Sequence, residues 1–281
     1  MKAMILAAGL GTRLKPLTDR MPKALVPVAG EPMLKRVIEQ LKEVGFTHIV
    51  INVHHLAEQI TDYLKENNNF GIEIEISDEQ AELLDTGGGL LHAYSLLSGD
   101  CFMTTKPYSN YSENEKQDLS CEVTDSGMID NSFLVHNVDI LSNCNLKKLC
   151  SAHKEVHPGA NATMLVSDRN SSRKLLFDKC NRLCGWINKN SGETKPKSFV
   201  YNEGEYNEYA FSGIQVVNIK TLALMKKYGY SGKFSIIDFY MDMLDKGELE
   251  AYGFADPNLR LLDIGKPDTL IEAESFVKEI K

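Results

Sequence analysis

A glycine-rich segment near the start of the chain has the residue types that bind phosphate groups. It follows a short apolar run, Met4–Ala8, which suits a buried parallel strand. The segment continues through Gly9 and Gly11, and its small residues let backbone N–H groups come close to an anion. Residues 1–23 contain five basic side chains and one acidic side chain, whereas the whole chain has a formal net charge of −8. This local excess of positive charge predicts an anionic ligand.

Two common phosphate-binding loops do not fit this segment. The dinucleotide fingerprint G-x-G-x-x-G requires a third glycine, and the chain has Leu14 at that position. The Walker loop requires Gly-Lys-Ser or Gly-Lys-Thr, and neither tripeptide occurs in the chain. The sequence therefore argues against NAD binding and against kinases and ATPases of the Walker class.

Two aspartates are predicted at the carboxyl ends of strands, where ligands bind in open α/β sheets. Asp139 follows the apolar run 133–136, and Asp263 follows a short apolar run that precedes Pro267. Each has a structural alternative, because Asp139 would also suit a turn or helix cap and Asp263 a loop that enters a helix. Magnesium is commonly held by one or two carboxylates. Both aspartates are therefore candidate metal ligands.

A second glycine run, Gly87–Gly89, opens a predicted helix. Glycines at this position would permit backbone contact with a flat base or a ribose. The alternative interpretation is a flexible helix entry. Three polar residues just before this run are candidates for reading a base, and the sequence does not decide among them: Asp78, Glu79 and Gln80.

Strand and helix patterns alternate along the chain, which predicts an α/β fold with a parallel sheet covered by helices. Strands are predicted at about residues 4–8, 47–53, 72–76, 132–136, 160–166, 209–217, 249–254 and 260–262. Helices are predicted at about residues 32–44, 56–65, 86–97, 145–155, 219–227, 235–246 and from 267. The rhythm breaks at about 101–131 and 178–208, although residues 183–187 in the second region have a strand-like pattern that would suit a hairpin. We interpret these regions as irregular insertions into a single domain spanning residues 1–281.

The composition limits the classes of partner. The chain is acidic, with a pI near 5.5, and lacks the basic excess that nucleic acids or anionic membranes favour. No apolar run is long enough to span a bilayer, and a strand pattern begins at once, so we expect a cytoplasmic protein. The six cysteines are scattered and are expected to be reduced thiols. Cys180 and Cys184 lack a second pair at ligand spacing, which argues against zinc.

The N-terminal motif G-x-G-T-R at Gly9–Arg13, followed by Pro16 and by Pro22-Lys23, resembles the signature of the sugar-1-phosphate nucleotidyltransferases. The resemblance implies a Rossmann-like mixed, mostly parallel sheet flanked by helices. It also implies that an NTP and a sugar 1-phosphate react to give a nucleotide sugar and pyrophosphate. The resemblance implies that Arg13 and Lys23 are the catalytic cations. Fixed cations in a water-poor site stabilise the charge that develops during the reaction.

The same resemblance covers the metal ligands and the nucleotide pocket. Asn137-Val138-Asp139 is similar to the family's Asn-Gly-Asp motif with Val138 in place of Gly. The segment at Asp263 is similar to Asp-x-Gly-Thr-Pro, with Lys266 in place of Thr. We therefore expect Mg²⁺ to be held by Asp139 and Asp263. The resemblance places these residues around the nucleotide: Leu6, Ala7, Ala8, Gly9, Gly11, Thr12, Arg13, Lys23, Thr86, Gly87, Gly88 and Asn137.

The N-terminal motif, combined with Thr86–Gly89 and Phe211–Ile214, is most similar to short bacterial uridylyltransferases of N-acetylmuramate 1-phosphate. Mannose-1-phosphate guanylyltransferases share much of this pattern, and cytidylyltransferases of choline-like phosphates can share the N-terminal signature. A non-catalytic regulator that binds nucleotide sugars is a further alternative. The Glu-Lys-Pro segment that many relatives use at the sugar phosphate is missing. Glu203, Glu205 and Glu208 are candidate ligands of the sugar hydroxyl groups.

Overall fold

The structure, a computed structural model, describes residues 1–98 and 131–280. Most of the insertion predicted at about 101–131 lies outside the described residues. Among the helices that the structure describes, none has both the length and the apolar content needed to cross a membrane.

A ten-stranded mixed sheet forms the centre of the fold. The strands, including four in two small separate sheets, are β1 (Lys2–Leu6), β2 (Pro27–Val28), β3 (Glu31–Pro32), β4 (His48–Val53), β5 (Glu73–Asp78), β6 (Ser132–Asn137), β7 (Ile140–Ser142), β8 (Ala162–Ser167), β9 (Arg173–Phe177), β10 (Leu183–Asn188), β11 (Thr194–Lys195), β12 (Asn207–Asn218), β13 (Ala251–Ala255) and β14 (Leu261–Asp263). The large sheet has the order β11-β10-β9-β12-β6-β1-β4-β5, and β8 pairs with β12 and β13. Because β6, β1, β4 and β5 are parallel, their carboxyl ends meet at one edge.

Helices cover both faces of this sheet, as predicted. They are α1 (Met33–Val44), α2 (Ala57–Glu66), α3 (Asp85–His92), α4 (Tyr94–Ser98), α5 (Leu146–Ser151), α6 (Ile219–Lys227), α7 (Ile236–Asp245) and α8 (Pro267–Glu279). Side chains of β1 alternate between two hydrophobic cores: Ala3 and Ile5 belong to the core with α1, α2 and α8, and Met4 to the core with α3, α6 and α7. The predicted α/β class with a mixed sheet is confirmed.

Helix α1 shows how the local sequence determines an element. Its buried residues form one apolar stripe at helical spacing: Met33, Leu34, Val37, Ile38 and Leu41. The helix ends at Gly45, which has φ of 101°, a conformation that favours glycine over other residues.

Two regions differ from the sequence prediction. The helix predicted at 86–97 is divided at Ala93 into α3 and α4, although Ala93 still donates to Gly89 O and Leu97 to Ala93 O. The region 178–208 contributes β10 and β11 to the large sheet, and β10 coincides with the strand-like segment predicted at 183–187. Strand β9, which was not predicted, pairs with β10 and with β12.

Candidate functional site

A cavity of about 590 Å³ lies where β1 and β6 end. Its wall includes most of the residues predicted to bind nucleotide, together with several that were not predicted. The lining residues are Leu6, Ala7, Ala8, Gly9, Thr12, Arg13, Lys23, Asn52, Glu79, Leu83, Asp85, Thr86, Asn137, Val138, Asp139 and Lys233. Open α/β sheets bind ligands at this edge, and we call this opening the first cavity.

Asn52 fixes the start of the glycine-rich segment after β1, residues 7–11, which we call the phosphate loop. This residue lies near the end of β4, and its Oδ1 accepts from Ala7 N at 2.7 Å and from Ala8 N at 3.3 Å. These two N–H groups already have a buried acceptor, and the assignment of Ala7 and Ala8 to the nucleotide site stays a prediction. By contrast, nothing lies within 4 Å of the position that a Cβ on Gly9 would occupy, so the loop is open there.

Gly11 shapes the loop from outside the first cavity. Its φ of 63° is in the left-handed region, and a Cβ there would lie 2.7 Å from Thr18 Cγ2. Thr18 Oγ1 also donates to Gly11 O at 2.9 Å. Gly11 therefore allows the tight turn into the short helix Thr12–Leu14, which presents Thr12 and Arg13 to the cavity.

The two predicted metal ligands are brought together by pairing between β7 and β14. Asp263 lies opposite Ile140 in this pair, and Ile264 N donates to Asp139 O at 2.9 Å. The Asp263 carboxylate also lies beside Arg13, because a Cβ on Gly265 would be 2.5 Å from Arg13 Nη2 and 3.0 Å from Asp263 Oδ1. The tertiary structure thus collects two aspartates that are far apart in the sequence.

The donor set at these aspartates fits magnesium. Asp263 Oδ1 is buried and has no hydrogen-bond partner. Within residues 1–98 and 131–280, no group of three or more His, Cys, Asp and Glu side chains is arranged to hold a metal. Magnesium is usually bound through one or two carboxylates plus substrate phosphates, so a pair of aspartates beside the predicted phosphate-binding segment suits it.

Lys23 is placed directly against one of these carboxylates. Its side chain is nearly buried, with 8% of the residue exposed, and Nζ forms an ion pair with Asp139 Oδ2. A charge in such a place needs a partner, because desolvation strongly disfavours an isolated buried ion. The cation is therefore held at the point where the loop and the end of β6 meet.

Glu79 is the buried acid of the first cavity. Of the three polar residues at 78–80, Glu79 alone lines the cavity and is 2% exposed. Burial raises the pKa of its carboxyl group, and the opposing effect of the hydrogen bond from Asn52 Nδ2, at 2.7 Å, is smaller. Asn52 was not identified from the sequence, although a polar residue within the apolar run 49–53 was the available signal.

The glycines that open α3 are used for close packing inside the protein. Gly87 N and Gly88 N both donate to Phe234 O, at 2.9 and 3.2 Å. A Cβ on Gly87 would lie 2.4 Å from Phe234 Cε2, and one on Gly88 would lie 2.2 Å from Gly232 O. The backbone contact with a base or ribose that was predicted for these glycines is corrected, because neither glycine lines the cavity. Thr86, one residue earlier, does line it.

A second cavity of about 610 Å³ adjoins the first. The two share Asp85, Thr86 and Asn137 in their walls. The remaining residues of the second cavity are Arg169, Ser171, Arg173, Leu175, Trp186, Asn188, Glu193, Lys195, Ala210, Phe211, Ser235, Ile236, Ile237 and Asp238. A further opening of about 700 Å³ beside α1 contains none of the predicted site residues.

None of the three glutamates predicted as sugar ligands lines either of the two adjoining cavities. Glu208 pairs with Lys189 at 2.9 Å, and Glu205 accepts from Asn202. Glu203 is exposed. The sugar-ligand expectation for these residues is therefore corrected, since their side chains lie at other parts of the surface.

Asn137 is held in the shared wall by its neighbours. Gly213 has φ of 76°, and a Cβ there would lie 2.9 Å from Asn137 Nδ2. Beside it, His136 is fully buried, and its Nδ1 lies 2.8 Å from Asn137 O. Burial lowers the pKa of His136 to about 4, so its ring is neutral at physiological pH. Gly213 in the segment 211–214 thus leaves room for the Asn137 amide in the wall that the two cavities share.

Comparison with known proteins supports the resemblance seen in the sequence. Residues 2–107 match the family model described as nucleotidyl transferase. The chain is 48% identical over 103 residues to N-acetylmuramate alpha-1-phosphate uridylyltransferase of Neisseria meningitidis. This alignment covers 37% of this chain and 45% of that protein. It is 33% identical over 204 residues to a rice (Oryza sativa) mannose-1-phosphate guanylyltransferase. This alignment covers 72% of this chain and 47% of that protein.

A third relative carries a different chemistry. The chain is 51% identical over 82 residues to choline-phosphate cytidylyltransferase of Streptococcus pneumoniae. This alignment covers 29% of this chain and 34% of that protein. The aligned parts span less than half the length of each of these three curated relatives. The family-model match includes the glycine-rich segment after β1, and the three relatives differ in the base that their names imply.

The fold is that of the nucleotide-diphospho-sugar transferases. A crystal structure of UDP-glucose pyrophosphorylase complexed with UDP-glucose aligns with a TM-score of 0.67, covering 100% of this chain and 99% of that chain at 16% sequence identity. The predicted resemblance to the sugar-1-phosphate nucleotidyltransferases is confirmed by these relatives.

Proposed function

We propose that this protein transfers a uridylyl group from UTP to N-acetylmuramate 1-phosphate and releases pyrophosphate. The observation that carries the proposal is the pair of adjoining cavities with a common wall. The first contains Arg13, Lys23 and Asp139, which suit the polyphosphate of a nucleotide. The second opens beside the same centre and has room for a sugar, whose phosphate would enter at the shared wall.

In the proposed reaction an oxygen of the sugar phosphate attacks the α-phosphate of the nucleotide in line. A new P–O bond forms while the bond to pyrophosphate breaks. The acceptor phosphate is already a competent nucleophile, so the protein needs no covalent intermediate and acts by positioning and charge stabilisation. We assign Lys23 to the charge on the reacting phosphates and Arg13 to the leaving pyrophosphate.

Asp139 and Asp263 would hold a magnesium ion in this scheme. The ion supplies positive charge that offsets the charge developing on the phosphates. The unpartnered Asp263 Oδ1 supports this assignment, because a buried carboxylate oxygen without a donor is costly unless a cation or proton compensates it. Asp139 forms an ion pair with Lys23, and this pair keeps both side chains in position at the cavity wall.

The choice of UTP and of a muramate acceptor rests on similarity. The segments Thr86–Gly89 and Phe211–Ile214 are similar to those of the muramate uridylyltransferases, and the relative from Neisseria meningitidis has this activity in its name. Transfer of a guanylyl group to mannose 1-phosphate is the main alternative, because the rice relative aligns over more of this chain. Transfer of a cytidylyl group to phosphocholine is the other.

A matrix of substrates tests the proposal. UTP, GTP, CTP, dTTP and ATP are each mixed with N-acetylmuramate 1-phosphate, mannose 1-phosphate, glucose 1-phosphate and phosphocholine, and pyrophosphate release is measured with magnesium present. We expect UTP with the muramate to give the highest kcat/KM, because a base-binding site rejects donors that leave buried polar groups unpaired. A preference for GTP with mannose 1-phosphate would refute the substrate pair, and no release with any pair would favour a regulatory role.

A further inference from the structure

The second cavity contains three cations, and one of them is neutralised by the cavity's own acids. Lys195 Nζ lies 2.8 Å from Asp238 Oδ1 and 4.0 Å from Glu193 Oε1. Asp85, the remaining acid in the wall, accepts from Thr86 N. The acids of this cavity are therefore committed to one lysine and to a local turn.

The other two cations are guanidinium groups without carboxylate partners. Arg169 follows β8 and Arg173 begins β9, so both project from the same part of the sheet. Arg169 Nη2 donates to Phe211 O at 3.0 Å, which fixes the side chain, while its Nε is buried without a partner. Among the ion pairs that the described residues form, none includes Arg169 or Arg173. The cavity thus contains two guanidinium groups that form no ion pair with its acids.

This charge lies outside the first cavity, where the phosphates belong. Neither arginine lines the first cavity, whereas Arg13, Lys23 and the aspartates do so or adjoin it. An acceptor whose phosphate reaches the shared wall would direct its sugar ring toward the arginines. Two guanidinium groups beside a sugar pocket suit a planar anion, because a guanidinium can bind a carboxylate through two parallel hydrogen bonds.

We infer that Arg169 and Arg173 bind a carboxylate on the acceptor sugar and so select acidic sugar phosphates over neutral ones. This inference rests on the proposed transfer to a sugar 1-phosphate and deepens it by naming the residues that recognise the acceptor. Arg169, fixed by Phe211, provides a positioned donor. Arg173, exposed at the start of β9, provides the second guanidinium group of the same cavity.

Direct binding of two acceptors tests this inference. N-acetylmuramate 1-phosphate and N-acetylglucosamine 1-phosphate differ only by the lactyl ether, which carries a carboxylate. Calorimetry with the full chain, magnesium and a non-hydrolysable UTP analogue measures both affinities without turnover. We expect R173A to weaken binding of the muramate by roughly 10- to 100-fold, the usual effect of losing a charge-assisted hydrogen bond, and to change binding of the neutral sugar by less than about 3-fold.

Controls separate this role from folding and from general electrostatics. K179A removes an exposed cation outside the second cavity and is expected to change neither affinity. R169A should act as R173A does, and unchanged melting temperatures would show that both variants fold. Equal weakening of both acceptors would overturn the inference, because the arginines would then bind the phosphate. Equal binding of both acceptors by the unaltered protein, or binding of neither, would overturn it as well.

Pyrophosphate release in the same samples keeps this inference separate from the proposed function. Selective binding of the muramate that depends on Arg173, without release, would uphold the carboxylate site and refute the transferase. Release without any preference between the two acceptors would support the transferase and refute the carboxylate site.

Discussion

Replacement of Asn52 by leucine tests whether one buried amide fixes the phosphate loop to the sheet. The change removes three hydrogen bonds, to Ala7 N at 2.7 Å, to Ala8 N at 3.3 Å and from Nδ2 to Glu79 Oε1 at 2.7 Å. Leucine has the same branching and is larger, so the change leaves no new cavity, and crowding by its methyl groups adds to the loss of the hydrogen bonds. Each buried donor left without an acceptor costs about 1–3 kcal/mol, and a lost hydrogen bond to a charged group costs about 1.5–3 kcal/mol.

The expected destabilisation of N52L is about 3–5 kcal/mol at neutral pH. It is less than the full sum because the bond from Ala8 is long and because Glu79 can take up a proton. Burial already raises the pKa of Glu79, and the hydrogen bond from Asn52 is the largest effect that opposes this rise. The substitution therefore raises this pKa further.

The raised pKa gives the destabilisation a definite pH dependence. A carboxyl group whose pKa is higher in the folded protein than in the unfolded chain stabilises the fold below its unfolded pKa. That contribution is lost as the pH rises through the folded-state pKa. In N52L the fold continues to lose stability up to a higher pH than in the unaltered protein, because the pKa of Glu79 is higher in this variant. We therefore expect the difference in unfolding free energy between N52L and the unaltered protein to be larger at pH 8 than at pH 5.

Urea unfolding at the two pH values, followed by circular dichroism, measures these differences. The matched control is N67A, which removes an exposed amide that donates to Tyr63 O at 2.8 Å and should cost less than about 1 kcal/mol. If N52L lost no more stability than N67A, the amide would not be holding the loop. A destabilisation that was the same at both pH values would show that Glu79 is not part of the network.

Two further predictions concern the metal ligands and the shared wall. D139N and D263N should each lower kcat for pyrophosphate release by about 100-fold or more and raise the magnesium concentration needed for half-maximal rate. D139N should also lower the melting temperature, because it removes the charge partner of the nearly buried Lys23, and unchanged kinetics in both variants would refute the metal assignment. G213A should cost about 2–4 kcal/mol and reduce turnover, because its Cβ would combine a φ of 76° with a 2.9 Å approach to Asn137 Nδ2. G229A, at a φ of 70° with nothing within 4 Å, isolates the backbone cost of about 1 kcal/mol, and equal effects of the two would refute the crowding argument.

The parallel half of the sheet was predictable because its signals are local. Strand β4 has an apolar run interrupted only by Asn52 and α1 has an apolar stripe, and both patterns depend on residues close together in the sequence. Strand β9, Arg173–Phe177, carries no such pattern at its start, and its conformation depends on pairing with β10 on one side and with β12, about thirty residues later, on the other. Non-local pairing of this kind is not recorded in the residues of the strand itself.

The site was predictable to the extent that chemistry follows strand ends. Asp139 and Asp263 were identified because each follows a short apolar run, and the structure brings them together through β7 and β14. Asn52 was missed because its function depends on burial and on the loop above it. The arginines of the second cavity were missed for the same reason, since Arg169 and Arg173 gain their significance from the acids that do not pair with them.

The glycine runs show why residue type alone did not decide function. A glycine is needed wherever something approaches the backbone closely, and a ligand and a neighbouring segment impose the same requirement. At Gly87 and Gly88 the approaching group is the segment 232–234, whose position depends on how α7 packs beside α3. At Gly9 no protein atom approaches within 4 Å, so a ligand can. The distinction lies in what stands opposite each glycine, which only the tertiary structure reveals, and it makes Gly9 the stronger candidate for contact with the nucleotide phosphates.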